Sequence, residues 1–161
     1  LRFLRLEKTF NKMNISFTHE LIDQFSELYI QELSKNTMLF KDTVTVLEYL
    51  NLKYTLHIIT NGFENVQQKK LKNSGIDHFF EVVLTAEKIG IKKPKPEIFL
   101  SALKSANAQP EHALMIGDSL EADIQTPLKL GLQAIHFNSH NEQHHEECLI
   151  IDKLMDLTNL L

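Results

Sequence analysis

Three short segments of this chain carry side chains suited to phosphoryl chemistry. In chain order they are ITNGF (Ile59–Phe63), KKPKPEIF (Lys92–Phe99) and MIGDSLEAD (Met115–Asp123). Each follows or closes a short apolar run, so we expect each one where a buried strand ends. Together they offer a hydroxyl group with backbone amides, a lysine and a pair of carboxylates. Such a set suits the binding of a phosphoryl group beside a divalent cation.

The carboxylates Asp118 and Asp123 are the strongest of these signals. Asp118 directly follows the apolar run 114–116, where an unpaired charge is costly to desolvate. A hard cation would offset that cost, because Mg²⁺ prefers one or two carboxylates together with water and phosphate oxygens. On the residues alone, an alternative stays open in which Asp118 caps a helix and Asp123 is a solvated helix residue.

Thr60 and Lys93 are the candidates in the other two segments. A glycine two residues after Thr60 permits a tight turn, and the amides at the start of the next helix favour an anion. Pro94 biases Lys93 towards an extended backbone, which would give its ammonium group a defined direction. Taken singly, a turn without function and a solvated lysine are the alternatives, and Lys92 and Lys95 compete with Lys93 for any role.

Composition excludes several classes of protein. The 161 residues are 43% hydrophobic and 24% charged, which is ordinary for a single soluble domain. The net charge of −4 and the lack of a basic block argue against a nucleic-acid binder. One cysteine, Cys148, excludes an intrachain disulfide and fits a reducing cytosol, so we expect a cytoplasmic protein. No apolar run approaches the roughly 18 residues of a membrane span, so we expect no membrane partner.

The chain divides into two parts with different patterns. Residues 1–41 show two amphipathic helices, the first already including Leu1 and the second capped by Thr18, which suggests a helical cap or part of one. From Asp42, which we expect to cap a helix, the pattern alternates between helix and strand. Predicted strands cover 54–59, 81–86, 113–116, 132–137 and 148–151, and predicted helices cover 42–52, 64–73, 96–107 and 121–130.

Strands separated by helices of this length imply right-handed crossovers and a parallel sheet. We therefore predict an α/β fold in which residues 42–161 form a Rossmann-like parallel sheet with flanking helices. Residues 1–41 would be an N-terminal helical cap remnant. In open sheets of this kind ligands bind beyond the carboxyl ends of the strands. The three segments with chemical potential are expected at that edge.

The three segments resemble motifs II, III and IV of the haloacid-dehalogenase-like (HAD) superfamily, and the resemblance extends over nearly the whole chain. Thr60 stands at the phosphate-binding position of motif II, and Lys93, in K-P-K-P, stands at the lysine of motif III. Asp118 and Asp123 match the acidic pair of motif IV, G-D-x-x-x-x-D. The run IITNGFENVQ (58–67), with the helical region before it, is similar to the pyrimidine-nucleotidase-like branch with a helical cap.

The resemblance implies a Mg²⁺-dependent phosphomonoester hydrolase that works through an aspartyl-phosphate intermediate. It assigns Thr60, Lys93 and Asp118 to catalysis and assigns Thr60, Asn61 and Lys93 to phosphate binding. It makes Asp118 and Asp123 the metal ligands. The implied partner is a small phosphorylated metabolite, with a pyrimidine nucleoside 5′-monophosphate as the leading candidate.

The family's motif I, D-x-D-x-T at the end of its first core strand, has no match in this sequence. No residue here is therefore assigned as nucleophile or general acid, and we expect the chain as written to be inactive. In the family's sheet the absent strand lies between the strands that end at Thr60 and Asp118. We expect either that a segment from outside these residues fills the gap or that the two flanking strands pair directly.

Other functions stay open at this point. A HAD-type dehalogenase needs no metal and does not usually keep the acidic pair, and a catalytically inactive fragment or interaction module needs none of the chemistry. A receiver domain has its acidic residues before the Thr and Lys, the reverse of the order here. The histidines of the polar region 138–147 and its flank also invite a metal-site interpretation, but we expect a solvated loop there; they are His136, His140, His144 and His145.

Overall fold

Parallel strands with helices on both faces form the core of the computed structural model, which describes residues 2–35 and 37–161. In that part of the chain the strands are β1 (Leu56–Thr60), β2 (Phe80–Thr85), β3 (Leu114–Gly117), β4 (Gln133–Phe137) and β5 (Leu149–Ile151). The α-helices are α1 (Arg2–Lys12), α2 (His19–Lys35), α3 (Thr43–Asn51), α4 (Glu64–Asn73), α5 (Ala86–Ile89), α6 (Pro96–Ser105), α7 (Gln125–Lys129) and α8 (Leu157–Leu160). The predicted α/β class with parallel strands and flanking helices is confirmed.

The two N-terminal helices pack against each other and, through α2, against the core. Thr18 caps α2, because its hydroxyl accepts a hydrogen bond at 3.2 Å from the N–H three residues later. Phe10 of α1 packs edge-on against Phe25 of α2, with ring centroids 5.4 Å apart. α2 in turn packs on α4, where the Asn73 side chain donates to the Ser34 carbonyl at 3.0 Å. Leu1 lies outside the described residues, and the domain boundary after residue 41 stays a prediction.

Asp42 does not cap α3 as the sequence predicted. Its backbone is left-handed, with φ of 64°, and its side chain makes no capping hydrogen bond. An N-cap residue normally has an extended backbone that aims its side chain at the first amides of the helix, and the left-handed conformation prevents this. The hydroxyl of Thr43 instead donates to the Phe40 carbonyl at 2.8 Å.

The predicted helix 121–130 is in fact two elements. Leu120–Ile124 forms a π-helical turn, in which the N–H of Gln125 bonds the carbonyl of Leu120, and α7 then begins at Gln125. This arrangement places Pro127 in the first turn of α7, where its missing N–H leaves no helical bond unmade. A continuous helix from 121 would have required that bond, so the proline explains why the regular helix restarts late.

The strands fall into two sheets that are not hydrogen-bonded to each other. β1 pairs with β2, and β3 pairs with β4, which pairs with β5, all in parallel. Every residue of β1 and β3 is only half-buried, whereas residues 134–137 of β4 are buried. The described residues thus lack the first core strand, as expected. Of the two expected outcomes, direct pairing of β1 with β3 is not seen among the described residues.

The two sheets nevertheless share the same hydrophobic layers. Ile59 of β1 and Met115 of β3 both pack against the cluster formed around Phe99 of α6. Leu56 of β1 and Leu114 of β3 both pack against the cluster on the opposite face, which includes residues of α3, β4 and α8. The side chains therefore form one layered core although the backbone ladder is interrupted. No helix in the described ranges is long and apolar enough to cross a membrane.

Candidate active site

The predicted site residues lie at the carboxyl edge of both sheets. Thr60 is the last residue of β1 and stands in register with Thr85 of β2. Asp118 follows β3 directly, and Gly117 before it stands in register with His136 of β4. Parallel strands present their carboxyl ends at one edge, so the loops that carry the three motifs leave the core on the same side.

Asn61 joins motif II to motif III. Its Oδ1 accepts a hydrogen bond from the N–H of Lys93 at 2.7 Å, and its Nδ2 donates to the carbonyl of the same residue at 3.1 Å. Lys93 precedes Pro94 through a cis peptide bond. A side-chain amide that bonds both backbone groups of one residue fixes the position of that residue. The phosphate contact predicted for Asn61 stays a prediction, because this amide is engaged with Lys93.

Lys93 also joins motif III to motif IV. Its ammonium nitrogen lies 2.5 Å from Oδ1 of Asp123, and the two side chains are only 13% and 4% exposed. The second oxygen of Asp123 accepts from the N–H of Ser119 at 3.3 Å. Lys92 and Lys95 are both exposed, in agreement with the preference for Lys93. Both carboxylate oxygens of Asp123 therefore have partners within the protein.

Gly117 makes room for this buried carboxylate. A Cβ atom at residue 117 would lie 2.3 Å from Cβ of Asp123, closer than side-chain atoms can approach. The π-helical turn that carries Asp123 begins with a cap, since the Ser119 hydroxyl accepts from the N–H of Ala122 at 3.2 Å. The glycine at the end of β3 and the π-helical turn after it together bring the Asp123 carboxylate into contact with the Lys93 ammonium group.

The hydroxyl of Thr60 accepts a hydrogen bond from the N–H of Gly62 at 3.0 Å. A hydroxyl that accepts one bond still has its own proton to donate, so Thr60 retains a donor for a phosphate oxygen. The amides at the start of α4 are less available to an anionic ligand than the sequence analysis expected. The N–H of Glu64 donates to the Glu87 carboxylate at 2.9 Å, which already supplies an anion to that helix terminus.

Asp118 is half-exposed and contacts His140, one of the histidines that the sequence analysis assigned to a solvated loop. Its Oδ2 lies 3.0 Å from Nε2 of His140, and the two side chains are 49% and 64% exposed. Its backbone carbonyl lies 3.3 Å from Nε2 of His136, a buried side chain at the end of β4. The other ring nitrogen of His136 lies 2.9 Å from Nε2 of His145. Asp118 is thus linked to the loop that follows β4.

The expectation of a simple solvated loop after β4 was therefore wrong in part. Residues 138–147 have no regular structure, and His144 is exposed as expected. His136, however, is 1% exposed and stacks against His145 with ring centroids 5.1 Å apart. The run of histidines was visible in the sequence, but the contacts that give them a role depend on tertiary packing.

The predicted metal ligands differ in their availability. Across residues 2–35 and 37–161, no group of three or more His, Cys, Asp or Glu side chains is placed to hold a metal ion. Asp123 has both oxygens engaged, whereas Asp118 is open to solvent and has an oxygen without a protein partner. An exposed carboxylate of this kind suits Mg²⁺, which keeps several waters and takes few protein ligands. Asp118 fits the role of a direct ligand better than Asp123 does.

Two other features lie near the site without joining it. A cleft of about 370 Å³ opens beside Asn61 and Phe63, at the ends of β1 and β2, but neither Lys93 nor Asp118 lines it. Burial raises the pKa of the Cys148 thiol, so this cysteine has little thiolate at neutral pH and is a poor nucleophile. Neither feature changes the candidate site formed by the three motifs.

A family model described as haloacid dehalogenase-like hydrolase matches residues 2–137. The chain belongs to this family. Two curated relatives are phosphatases by name. Pyrimidine 5′-nucleotidase YjjG of Escherichia coli is 30% identical over 124 residues, which cover 76% of this chain and 55% of the relative. Glyceraldehyde 3-phosphate phosphatase of Methanothermobacter thermautotrophicus is 32% identical over 127 residues, with coverage of 74% and 56%.

Solved members of the family share the fold. The HAD-hydrolase YfnB of Bacillus subtilis, solved with bound magnesium, superposes with a TM-score of 0.85 at 26% identity, covering 99% of this chain and 70% of that one. Solved 2-haloacid dehalogenases share the fold as well. The chain spans about half the length of the two curated relatives above. The resemblance identified from the motifs is confirmed at the level of family and fold.

Proposed function

We propose that this chain carries the phosphate-binding and metal-binding part of a phosphomonoester hydrolase. The supporting observation is the chain of contacts that connects the three motifs. Asn61 bonds the backbone of Lys93, the ammonium group of Lys93 bonds Asp123, and Asp123 bonds the N–H of Ser119 next to Asp118. A cation, a hydroxyl and an open carboxylate are thereby held at one edge of the fold.

Each side chain has a distinct task in this proposal. Thr60 donates its hydroxyl proton to a phosphoryl oxygen, and Lys93 places a fixed positive charge beside the transferring group. Asp123 holds the Lys93 ammonium group in position, and Asn61 holds its backbone. Asp118 would bind Mg²⁺, which when bound offsets negative charge on the phosphoryl oxygens.

The nucleophile and the general acid are not among residues 1–161. We propose that an aspartate on a further strand attacks the phosphorus atom and forms an aspartyl-phosphate, while the ester P–O bond breaks and the general acid protonates the departing alcohol. Water then cleaves the aspartyl-phosphate, which releases inorganic phosphate and restores the aspartate. The edges of β1 and β3 that lack a strand partner in the described residues support this proposal, because a strand between them would end beside Thr60 and Asp118. The residues described above would stabilise charge in both steps.

The substrate is a small phosphomonoester. The named substrates of the relatives range from pyrimidine nucleotides to glyceraldehyde 3-phosphate, so the phosphoryl group is the shared element. Among these the pyrimidine nucleoside 5′-monophosphates are our first candidates, since the motif II region resembles that branch. A cytoplasmic location, as expected from the single cysteine, fits such metabolites.

A dehalogenase is the second candidate, because proteins of that name share the fold. The pair formed by Lys93 and Asp123, and the open carboxylate of Asp118, favour phosphate chemistry, which uses a divalent cation. A catalytically inactive interaction module is the third candidate. Direct assays separate the three, since one releases phosphate, one releases halide and one releases neither.

The test uses the protein expressed at full length from its own gene. Phosphate release is measured from nucleoside 5′-monophosphates, glyceraldehyde 3-phosphate and phosphoserine with Mg²⁺, and halide release from 2-haloacids. We expect Asp118→Asn and Lys93→Ala to lower phosphate release by orders of magnitude. Lys92→Ala and Lys95→Ala, at exposed neighbouring positions, are the matched controls and should be nearly neutral. Full activity of Asp118→Asn would contradict the proposal, and sensitivity at Lys95 would show that motif III is misregistered.

A further inference from the structure

The loop after β4 is built to hold one histidine against Asp118. Asn138, which is 7% exposed, fixes the start of this loop, because its side chain accepts from the N–H of Glu142 at 2.7 Å and donates to the carbonyl of the same residue at 3.2 Å. The stacked pair of His136 and His145 fixes its other end. His140 lies between these two anchors.

The buried His136 connects this loop to the metal-binding motif. One of its ring nitrogens contacts His145 in the loop, and the other contacts the backbone carbonyl of Asp118. The positions of Asp118 and of the loop are therefore set by the same side chain. Because His136 holds both the loop and Asp118, the packing around β4 keeps His140 close to Asp118.

The distance between His140 and Asp118 suits two ligands of one ion. Nε2 of His140 and Oδ2 of Asp118 are 3.0 Å apart. Ligands at adjacent corners of an octahedron with bonds of about 2.1 Å also stand about 3.0 Å apart. Both side chains are exposed to more than two fifths, so a hydrated ion can reach them from solvent.

We propose that His140 is a second protein ligand of the divalent ion held by Asp118, an inference that rests on the metal role given to Asp118 in the proposed function. The ion would then be bound by one imidazole nitrogen and one carboxylate oxygen. Imidazole is a weak ligand for Mg²⁺ and a good one for ions such as Co²⁺ and Ni²⁺, which lie higher in the order of divalent affinities. The site therefore discriminates in favour of these transition-metal ions through His140.

The test measures metal binding itself. Titration calorimetry on the full-length protein gives the affinities for Co²⁺ and for Mg²⁺ in wild type, His140→Ala and His140→Gln. Glutamine keeps hydrogen-bonding capacity but is a poor ligand for these ions, so it separates ligation from a simple hydrogen bond. His144→Ala is the matched control, since His144 is exposed in the same loop. Circular dichroism checks that each variant is folded.

We expect both His140 variants to lower the Co²⁺ affinity by at least about tenfold and to change the Mg²⁺ affinity by less than about twofold. His144→Ala should match wild type for both ions. Pulsed EPR of the Mn²⁺-loaded protein should show modulation from an imidazole nitrogen in wild type and in His144→Ala, and lose it in both His140 variants.

Two results would overturn the inference. If His140→Ala tightens the binding of both ions, the histidine competes with the metal for Asp118. If the two His140 variants bind Co²⁺ and Mg²⁺ with wild-type affinity while Asp118→Asn abolishes metal binding, the inference fails and the proposed function stands. Unchanged metal binding in Asp118→Asn would remove the metal role from the proposed function as well.

Discussion

Lys93 is fixed at both its backbone and its side chain, by Asn61 and Asp123 respectively. An ammonium group on a flexible stem loses freedom when it binds, so a protein that positions it beforehand gains more from it at the moment of reaction. Under the proposed function, Asp123 would act on the phosphoryl group through Lys93. The sequence suggested instead that both carboxylates of motif IV bind the metal.

The stability of the ion pair gives a test of this role for Asp123. Removing one partner of a nearly buried pair leaves an uncompensated charge, so we expect Asp123→Asn and Lys93→Met each to lower the free energy of unfolding by roughly 3 kcal/mol. The double variant should lose much less than the sum. Urea unfolding of the two single variants and the double variant gives the coupling energy.

Lys92→Met is the control for this cycle, because it removes an exposed charge next to the same proline loop. It should change the unfolding free energy by less than about 0.5 kcal/mol. Strictly additive effects of Lys93→Met and Asp123→Asn would mean that the two charges do not interact in solution.

At the scale of elements, the turn after β3 depends on one glycine. Gly117→Ala would place a methyl group against the Cβ of Asp123, an atom tied to the backbone of the π-helical turn. We expect a loss of about 1–3 kcal/mol in unfolding free energy, because the turn or the strand has to shift. The melting temperature should fall accordingly, and the Lys93 contact should be lost with it.

Gly62→Ala provides the comparison. Its added methyl group would also meet side-chain atoms, but these belong to the flexible Gln67, which can rotate away. We expect a smaller loss than for Gly117→Ala in the same thermal and urea measurements. Equal losses at the two positions would show that the close approach of Asp123 is not the reason for glycine at 117.

Local chemistry made some elements predictable and left others hidden. The glycines that end helices followed from residue type, since Gly75 and Gly131 have φ of 69° and 88°, whereas the predicted cap at Asp42 did not form. The positions of Thr60 and Asp118 at strand ends also followed from the sequence, because strands with apolar cores end where polar residues begin. The same expectation was wrong for Lys93, which lies in the loop between α5 and α6. The π-helical turn did not, since its position depends on Pro127 and on the packing of Asp123.

The contacts of the histidines were hidden for a different reason. His136 and His145 are separated in sequence by a polar stretch that resembles an exposed loop, and the first of them is buried in β4 between β3 and β5. Hydrophobic periodicity describes one helix or strand at a time, so it does not reveal a contact between residues of two different elements. The contact of Asp123 with Lys93 was hidden for the same reason, because Lys93 lies in another segment, and the metal role of Asp123 stays a prediction.

At the scale of the whole molecule, the interrupted sheet limits stability. A backbone group buried without a partner costs about 1–3 kcal/mol, against a total stability of about 5–15 kcal/mol for a domain. The half-buried state of β1 and β3 lets water reach part of their inner edges, which reduces this cost. We therefore expect residues 1–161 alone to be marginally stable.

A strand peptide provides the test at this scale. We expect residues 1–161 alone to show no Mg²⁺-dependent phosphate release, and a synthetic apolar strand ending in D-x-D-x-T to raise the melting temperature and restore some release. The same peptide with both aspartates replaced by asparagine should raise the melting temperature without restoring release. A cooperative, monomeric and active protein of these residues alone would contradict both the gap and the mechanism.

The two open edges have a consequence for handling this chain in solution. Natural edge strands are often blunted by lysine, proline or inward charges, which stop them from pairing with other molecules. β1 reads LHIIT and β3 reads LMIG, so neither contains such a residue. Any copy with these edges uncovered offers two templates for strand addition. Solubility at high protein concentration then depends on how fast another strand pairs with these edges. Pairing between molecules leads to aggregation, and it uses the same backbone N–H and C=O groups that the missing strand would use in folding.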